Sequence, residues 1–459
     1  MPTSAAKRVT LTNTGTAPLT VTSIAATGDF AQTNDYAGPV APGGAVHIDV
    51  TFTPTVAGTR SGSLTIASDG SVAPVSVALS GKGVAAAPTG LQRLSISGNQ
   101  FVDPQGNSVR LKSVNWFGAE GTNFTPHGTW LRNYKAIIDQ IAGFGFNCLR
   151  IPFSGDFCRA TTIPNTAVDW ALNAEFVGKS PLQVLDLIIA YAKTKGLYTV
   201  LDHHRRTAGA GADGAPTDGS YSQAQWISDW NVLAARYANE VAVVGADLHN
   251  EPHDLTWDAW ATACEACGNA ILATAPAWLI FVEGVGMNPD STPYWWGGAL
   301  KGVAARPVVL NVPNKVAYSP HEYGVSVGSQ NWLATDSSTP ANWPMNLFPV
   351  WHDNWGFIFE QGIAPIWIGE FGGKFGLDGN GALTVPHRVP ETTWATNLVK
   401  YLNGDLNGDG LNDLAAGKKG MSFAYWSFNP NSGDTGGLVR DDWITPQQPK
   451  LDIINPLLV

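Results

Sequence analysis

Eight short apolar runs, each broken off by a polar or charged residue, constrain this chain more than any other feature. They end as VRLKSVN at 115, CLRIPF at 153, YTVLDHH at 204, VGADLHN at 250, LIFVEG at 284, VAYSPHEY at 323, PIWIGE at 370 and SFAYWS at 427. Runs this short read as buried strands, and the amphipathic segments of about ten to eighteen residues between them read as helices. In SPLQVLDLIIAYAKTKG, Ser180 can cap, Pro181 suits the first turn and Gly196 closes. Leu182, Leu185, Ile188, Ile189 and Ala192 then form one apolar stripe. Repeated strand-then-helix units predict a (β/α)8 TIM barrel over 91–459, an α/β fold. A doubly wound open sheet is the alternative, but no glycine-rich phosphate loop supports it.

The first 83 residues follow another pattern. RVTLTN, LTVTSI, VHIDVTFTP, RSGSLTIASD and PVSVALSG alternate apolar and polar residues, with Gly, Asn, Pro and Asp between them. Period-2 alternation at this spacing predicts a small all-β sandwich over 1–83. VAAAPTG, ending at Gly90, reads as a linker over 84–90. The sandwich carries no cluster of catalytic side chains, so a spacer or stabilising module is expected, with sugar binding as the alternative.

Composition removes several classes of function. The 459 residues include 37 acidic and 27 basic ones, for a formal charge of −10, and no Lys/Arg-rich run. A nucleic-acid partner would require a basic face. No apolar run approaches the roughly 18 residues that span a bilayer. MPTSAAKRVTL lacks the apolar core of a signal peptide. The four cysteines do not make a disulfide framework; Cys264 and Cys267 read as buried thiols with no partners for a zinc site. A monomer is expected. The 18 tryptophans are compositionally unusual, and some are candidates for stacking on sugar rings.

In a barrel of this kind the reactive groups stand at the C-terminal strand ends. Those ends carry Asn115, Arg150, His204, Asn250, Glu251, Glu283, His321, Tyr323, Glu370 and Trp426. Glu251 and Glu370 follow strands four and seven, which face each other across the barrel mouth. Two facing carboxylates are what glycoside hydrolysis uses, one protonating the leaving oxygen while the other attacks or activates water. Glu283 ends strand five beside Glu251, so a supporting role is expected for it.

NEP after an apolar strand, LRIPF, LDHHR, PHEY, IGEFG and YWSFNPNSGDTGG together resemble glycoside hydrolase family 5, in its bacterial cellulase branch. The similarity runs from Gln92 to about Trp443. The resemblance implies a retaining endo-β-1,4-glucanase acting on β-glucan, with no cofactor required for catalysis. It implies Glu251 as acid/base and Glu370 as nucleophile. Arg150 would donate to Glu370 and stabilise its charged form. Asn250 would bind the sugar 2-hydroxyl, with His204, His321, Tyr323 and Trp426 around the cleavage site and Trp130 farther along the cleft. Trp116, Trp295, Trp296 and Trp332 are further candidate platforms. A cis Trp426–Ser427 peptide is also implied.

The third-strand motif departs from the family pattern, continuing as HHRRTAGAGADGAPTDGSYSQ without an aromatic-bearing loop. Another β-glycan (mannan, xyloglucan or mixed-linkage glucan), or an exo-acting or transglycosylating variant, is therefore the alternative within the class; a non-catalytic polysaccharide-binding barrel is the alternative outside it, against which the intact Glu251, Glu370, Arg150 and Asn250 argue. The first region resembles immunoglobulin-like modules of the choice-of-anchor-D and ASPM/SPD-2/Hydin group, in which another strand precedes the VTLTN element. A truncated start, and export directed by a signal segment not present in this chain, are expected. Finally, Asp405, Asn407, Asp409 and Asp413 match ligand positions of a calcium loop, whereas its twelfth position holds Ala416 rather than Glu. A structural Ca²⁺ and a solvated Asp/Asn/Gly turn are both open for that loop.

Overall fold

In the computed structural model, residues 3–56, 58–83 and 90–459 are described, and the chain divides into two compact units, Met1–Thr89 and Gly90–Val459. Residues 84–89 of the expected linker lie outside the described residues. The first unit holds two three-stranded antiparallel sheets. One orders Lys7–Thr12, Ala45–Phe52 and Phe30–Asn34; the other orders Val21–Ala26, Gly58–Ser68 and Val75–Gly83. Val46, Ile48 and Val50 share one face of their strand and meet Leu64 and Ile66 in the core, as period-2 alternation requires.

The second unit is a parallel barrel. Its strands are Lys112–Asn115, Cys148–Ser154, Tyr198–Arg205, Val243–Asp247, Leu279–Val282, Val316–Tyr318 with His321–Tyr323, Trp367–Gly372 and Ser422–Tyr425. Strand six is split by Ser319–Pro320. Its lower half pairs with strand five, its upper half with strand seven, and the Tyr318–Ile366 bridge joins the lower half to strand seven as well. Strand four stops at Asp247, three residues before the expected end at Asn250, and Asn250 then donates its backbone N–H to His203 O. Between strands five and six, the expected helix at the barrel wall after Gly284 is replaced by a loop and a 3₁₀ turn, Lys301–Ala304. The helix Pro181–Thr194 has the Ser180/Gln183 capping box and buries Val184, Leu185, Ile188, Ile189 and Ala192; Leu182 is only partly buried.

The barrel interior is layered. Leu94, Ile96 and Phe101, from the segment preceding strand one, close the bottom against Cys148, Val200, Phe281 and Trp367. One step up, Arg150, Asp202, Asp247 and Glu283 are all fully buried. Apolar filling below and charge above direct the chemistry to one rim. All four cysteines are free and buried. Among the described residues no helix is long and apolar enough to cross a membrane.

Candidate active site

Arg150 stands at the centre of the upper layer. Its Nη1 donates to Glu370 Oε1 at 2.7 Å and to Asn115 Oδ1 at 3.0 Å. Nη2 donates to Asn250 Oδ1 and to Glu283 Oε1, each at 3.1 Å, and Nε donates to Asp247 Oδ2 at 2.9 Å. Asp202 Oδ2 lies 3.2 Å from Nη2. One guanidinium thus faces four buried carboxylates, which only a planar five-donor fork can do. Burial alone would discharge Arg150, but Asp202, Asp247, Glu370 and Glu283 outweigh it and hold the guanidinium protonated. Burial and repulsion from Glu283 push the Asp247 carboxyl well above the ordinary range. Asp202 goes the other way: burial opposes its charge, and Arg150 and His204 together overcome it.

Glu370 is aimed into the barrel by a bulge. Trp367 faces the interior cluster, so strict alternation would turn Glu370 outward. Between Ile368 and Phe371 the register against strand eight shifts, and the added residue re-aims Glu370. Gly369 is required there, because a Cβ would sit 2.5 Å from Ser319 Oγ and 2.9 Å from His321 Nε2. Tyr323 donates its hydroxyl to Glu370 Oε2, opposite the Arg150 bond to Oε1. Both oxygens are therefore held.

Glu251 is built differently. Its backbone lies in the left-handed region, at φ 47°, uncommon for a residue with a Cβ. The backbone N–H donates to Glu283 Oε2 at 2.7 Å, so the buried acid of strand five fixes this turn. The side chain is 18% exposed against 4% for Glu370. Burial raises the Glu251 carboxyl above its ordinary value and the charge of Glu370 adds to this, while the hydrogen bond from His321 opposes both. His321 Nδ1 lies 3.0 Å from Glu251 Oε1 and 3.6 Å from Glu370 Oε2. Its Nε2 is 3.2 Å from Glu283 Oε1, close but poorly aligned for a hydrogen bond. Burial disfavours charge on His321, yet Glu283 and Glu370 hold it protonated. Ligand atoms of Glu251, Glu370 and His321 all lie within 4.8 Å of one another.

His204 donates through Nδ1 to Asp202 Oδ2 at 2.7 Å and lies parallel to Trp426, with ring centres 5.5 Å apart. Burial opposes a charge on His204, and Asp202 overcomes it and raises the imidazole. The Trp426–Ser427 peptide is cis. A cavity of about 410 Å³ is bounded by Asn250, Glu251, Glu370, Tyr323, His204 and Trp426, with Tyr294, Trp295 and Trp296 as a further wall. It shares His204 and Trp426 with a second cavity of about 530 Å³, where Glu120, His127, Asn431 and Asp434 stand.

The structure therefore brings Glu251, Glu370, Arg150, His204, Asn250, His321, Tyr323 and Trp426 to one rim, with Arg150 and His321 beneath the cavity rather than lining it. Trp130 stands beside His127, which lines the second cavity. It packs edge-on against His127 and Trp443, at 5.0 and 5.3 Å, and lines neither cavity. Among the other candidate platforms, Trp295 and Trp296 line the cleft, Trp116 is core, and Trp332 stacks on Tyr294 at 4.9 Å. Asp202, Asp247, Glu120 and Tyr294 went unread in the sequence. An acid inside an apolar run must find a buried partner, and Arg150 in LRIPF was the available cation.

In the 405–413 loop, Asp405 accepts the backbone N–H of Gly408 and Gly410, Asn407 accepts that of Asp409, Asp409 that of Leu411 and Asp413 that of Leu406. Asp405, Asp409 and Asp413 do not converge within 4.8 Å of one another. The side chains thus bond the turn itself.

A parallel barrel with two close carboxylates at its rim, in unlike environments, is the site of a glycoside hydrolase. Residues 102–432 match the cellulase family, glycosyl hydrolase family 5, and residues 2–82 match the HYDIN/CFA65/VesB-like, Ig-like domain. An endoglucanase of Paenibacillus polymyxa is 41% identical over 370 residues, covering 79% of this chain and 86% of that protein. The catalytic domain of the major endoglucanase from Xanthomonas campestris pv. campestris is 39% identical with a TM-score of 0.68, covering 79% of this chain and 99% of that one. An endocellulase from Pyrococcus horikoshii, solved in complex with cellotetraose, is 31% identical with a TM-score of 0.68, covering 80% and 99%. The chain belongs to glycosyl hydrolase family 5. It is a retaining glycoside hydrolase whose chemistry requires no cofactor.

Proposed function

We propose that this chain is a retaining endo-β-1,4-glucanase in which Glu370 attacks the anomeric carbon and Glu251 protonates the leaving oxygen. The observation that carries the reading is the short reach between the two carboxylates, within 4.8 Å. Inverting enzymes keep roughly 6.5–9.5 Å between theirs to admit a water, and retaining ones about 5–5.5 Å. Glu370, gripped at both oxygens by Arg150 and Tyr323, is oriented for attack. Glu251 holds its proton because burial and the neighbouring charge of Glu370 favour the acid form. Once Glu370 is esterified that charge is gone, the Glu251 pKa falls, and the same group serves as base for the incoming water. Asn250, with Oδ1 fixed by Arg150, offers its Nδ2 to the sugar 2-hydroxyl.

β-Glucan is the substrate class, supported by the endoglucanase relatives and by the neighbour solved with cellotetraose. A second reading, another β-glycan, is favoured by one observation: the loop after His204 offers the cleft only Gly209, Ala210, Gly211 and Ala212. The first unit acts as a spacer or stabilising module, and the chain works outside the cell, as a relative named a major extracellular endoglucanase does. The 405–413 loop serves as a self-bonded turn rather than a calcium site. Incubation with carboxymethyl cellulose and cello-oligosaccharides should release reducing ends, with the β-anomer first in proton NMR. An initial α-anomer, or no release from any β-glycan, would refute the reading.

A further inference from the structure

Behind strand six lies a carboxyl group that the proposed mechanism does not use. Glu322 sits between His321 and Tyr323, whose side chains touch Glu251 and Glu370, but its own side chain points away from the barrel and is fully buried. Its Oε2 accepts the hydroxyl of Tyr294 at 2.5 Å, and its Oε1 accepts the indole N–H of Trp351 at 3.1 Å and of Trp394 at 3.2 Å. Trp355, in the π-helical turn His352–Gly356, adds a weak 3.4 Å bond to the Tyr294 oxygen. Among the described residues, no Lys, Arg or His nitrogen lies within ion-pair distance of Glu322. Burial pushes its carboxyl up to about 7, with Tyr294, Trp351 and Trp394 pulling the other way. A buried acid without a cation is costly, and a well-packed apolar residue would fill the space at lower cost. What the acid supplies is two acceptor oxygens with fixed directions, collecting donors from the loop after strand five and from the helices after strands six and seven.

One of those donors belongs to the cleft. Tyr294 and Trp295 line the cavity together with Glu251 and Trp426, and Trp295 packs edge-on to Tyr323 at 6.0 Å. This wall adjoins Glu251: His253 donates its Nδ1–H to Glu251 O at 2.8 Å and stacks on Trp296 at 3.9 Å. The second cavity, on the far side of His204 and Trp426, does not include Glu251. With Glu251 as proton donor, the Tyr294–Trp296 wall lies where the departing sugar chain sits.

We propose that Glu322 is a positioning residue for leaving-group recognition: through Tyr294 it holds the wall against which the departing part of the glucan chain packs. This rests on the functional reading above. Glu322→Gln keeps length and shape, but its amide turns one acceptor into a donor, and Tyr294→Phe removes the same bond from the other side. Both variants should raise KM for cellotetraose about five-fold while kcat falls less than two-fold. KM for nitrophenyl cellobioside, whose leaving group is one small ring, should change less than two-fold. The double variant should be no worse than either single one, because both remove one contact.

Unchanged KM in Tyr294→Phe, additive effects, or a lowered Tm with no change in KM would overturn the proposal, the last showing a purely structural role. An equal loss of kcat on both substrates would also overturn it, placing the action of Glu322 on the catalytic pair. Should Glu322→Gln not fold, Tyr294→Phe, which removes a single hydroxyl, decides the question. No cleavage of either substrate by the unaltered protein would overturn the functional reading and this proposal together, a result read before any variant is made.

Discussion

Replacing Glu283 by Gln separates support from chemistry. Glu283 accepts the Glu251 backbone N–H at 2.7 Å and meets Arg150 Nη2 at 3.1 Å and His321 Nε2 at 3.2 Å. Glutamine fits the same space but has one acceptor oxygen. If that oxygen stays on Glu251, the amide NH₂ faces two donors; if it turns, the left-handed Glu251 turn loses its anchor. A hydrogen bond to a charged group is worth roughly 1.5–3 kcal/mol. Felt wholly in the transition state, this corresponds to about a 10- to 150-fold loss, at 1.36 kcal/mol per decade. The expected outcome is therefore a fall in kcat of about 10- to 100-fold, with KM for cellotetraose nearly unchanged. His321 should also titrate lower, since the charge of Glu283 is a main cause of its raised pKa. Steady-state kinetics and NMR titration of His321 measure both. A change of kcat under about two-fold would refute the anchoring role. A loss far beyond 10³-fold in a folded variant would make Glu283 a reacting group, because a positioned acid or base contributes about 10²–10⁴-fold.

Glu370→Gln removes one of the three causes that hold the Glu251 carboxyl up, burial and the charges of Glu370 and Glu283, so the Glu251 pKa should fall toward the ordinary value in ¹³C NMR; an unchanged or higher value would contradict the coupling. In the unaltered protein the acid form of Glu251 persists above the usual carboxylate range, and kcat/KM should decline as pH rises through that titration. Trp230→Ala should cost about 3–5 kcal/mol in urea denaturation, because Trp230 is wholly buried and shares with Trp226 the job of donating to Leu248 O at 3.1 Å; an unchanged midpoint would refute that packing role. EDTA should leave both Tm and kcat unaltered, since the 405–413 side chains bond their own turn; a drop in Tm restored by calcium would show an ion there.

The strand ends were legible because a barrel sends every strand's C-terminus to one rim, so position along the chain implied proximity in space. What position alone does not carry is sideways contact. Asp202 and Asp247 sit inside apolar runs, and only the register across strands two, three and four shows them meeting on Arg150. Local irregularity escaped for a similar reason. Alternation from Trp367 turns Glu370 outward, and a bulge at Gly369 reverses it. Trp130, which the resemblance places along the cleft, packs edge-on with His127 and Trp443, and the contact with Trp443 joins segments far apart in the chain, which only the folded structure shows. The 405–413 spacing leaves a calcium site and a solvated turn both open, as Asp and Asn at alternate positions also bond successive backbone amides.

In a double displacement Glu370 forms a covalent bond to the sugar. Incubation with a 2-deoxy-2-fluoro cellobioside bearing a good leaving group, followed by peptide mass spectrometry, tests it directly. One fluorocellobiosyl group is expected on the peptide containing Glu370, with loss of activity in step with labelling. A label on Glu251 or Glu283, or hydrolysis without any covalent adduct, would contradict it.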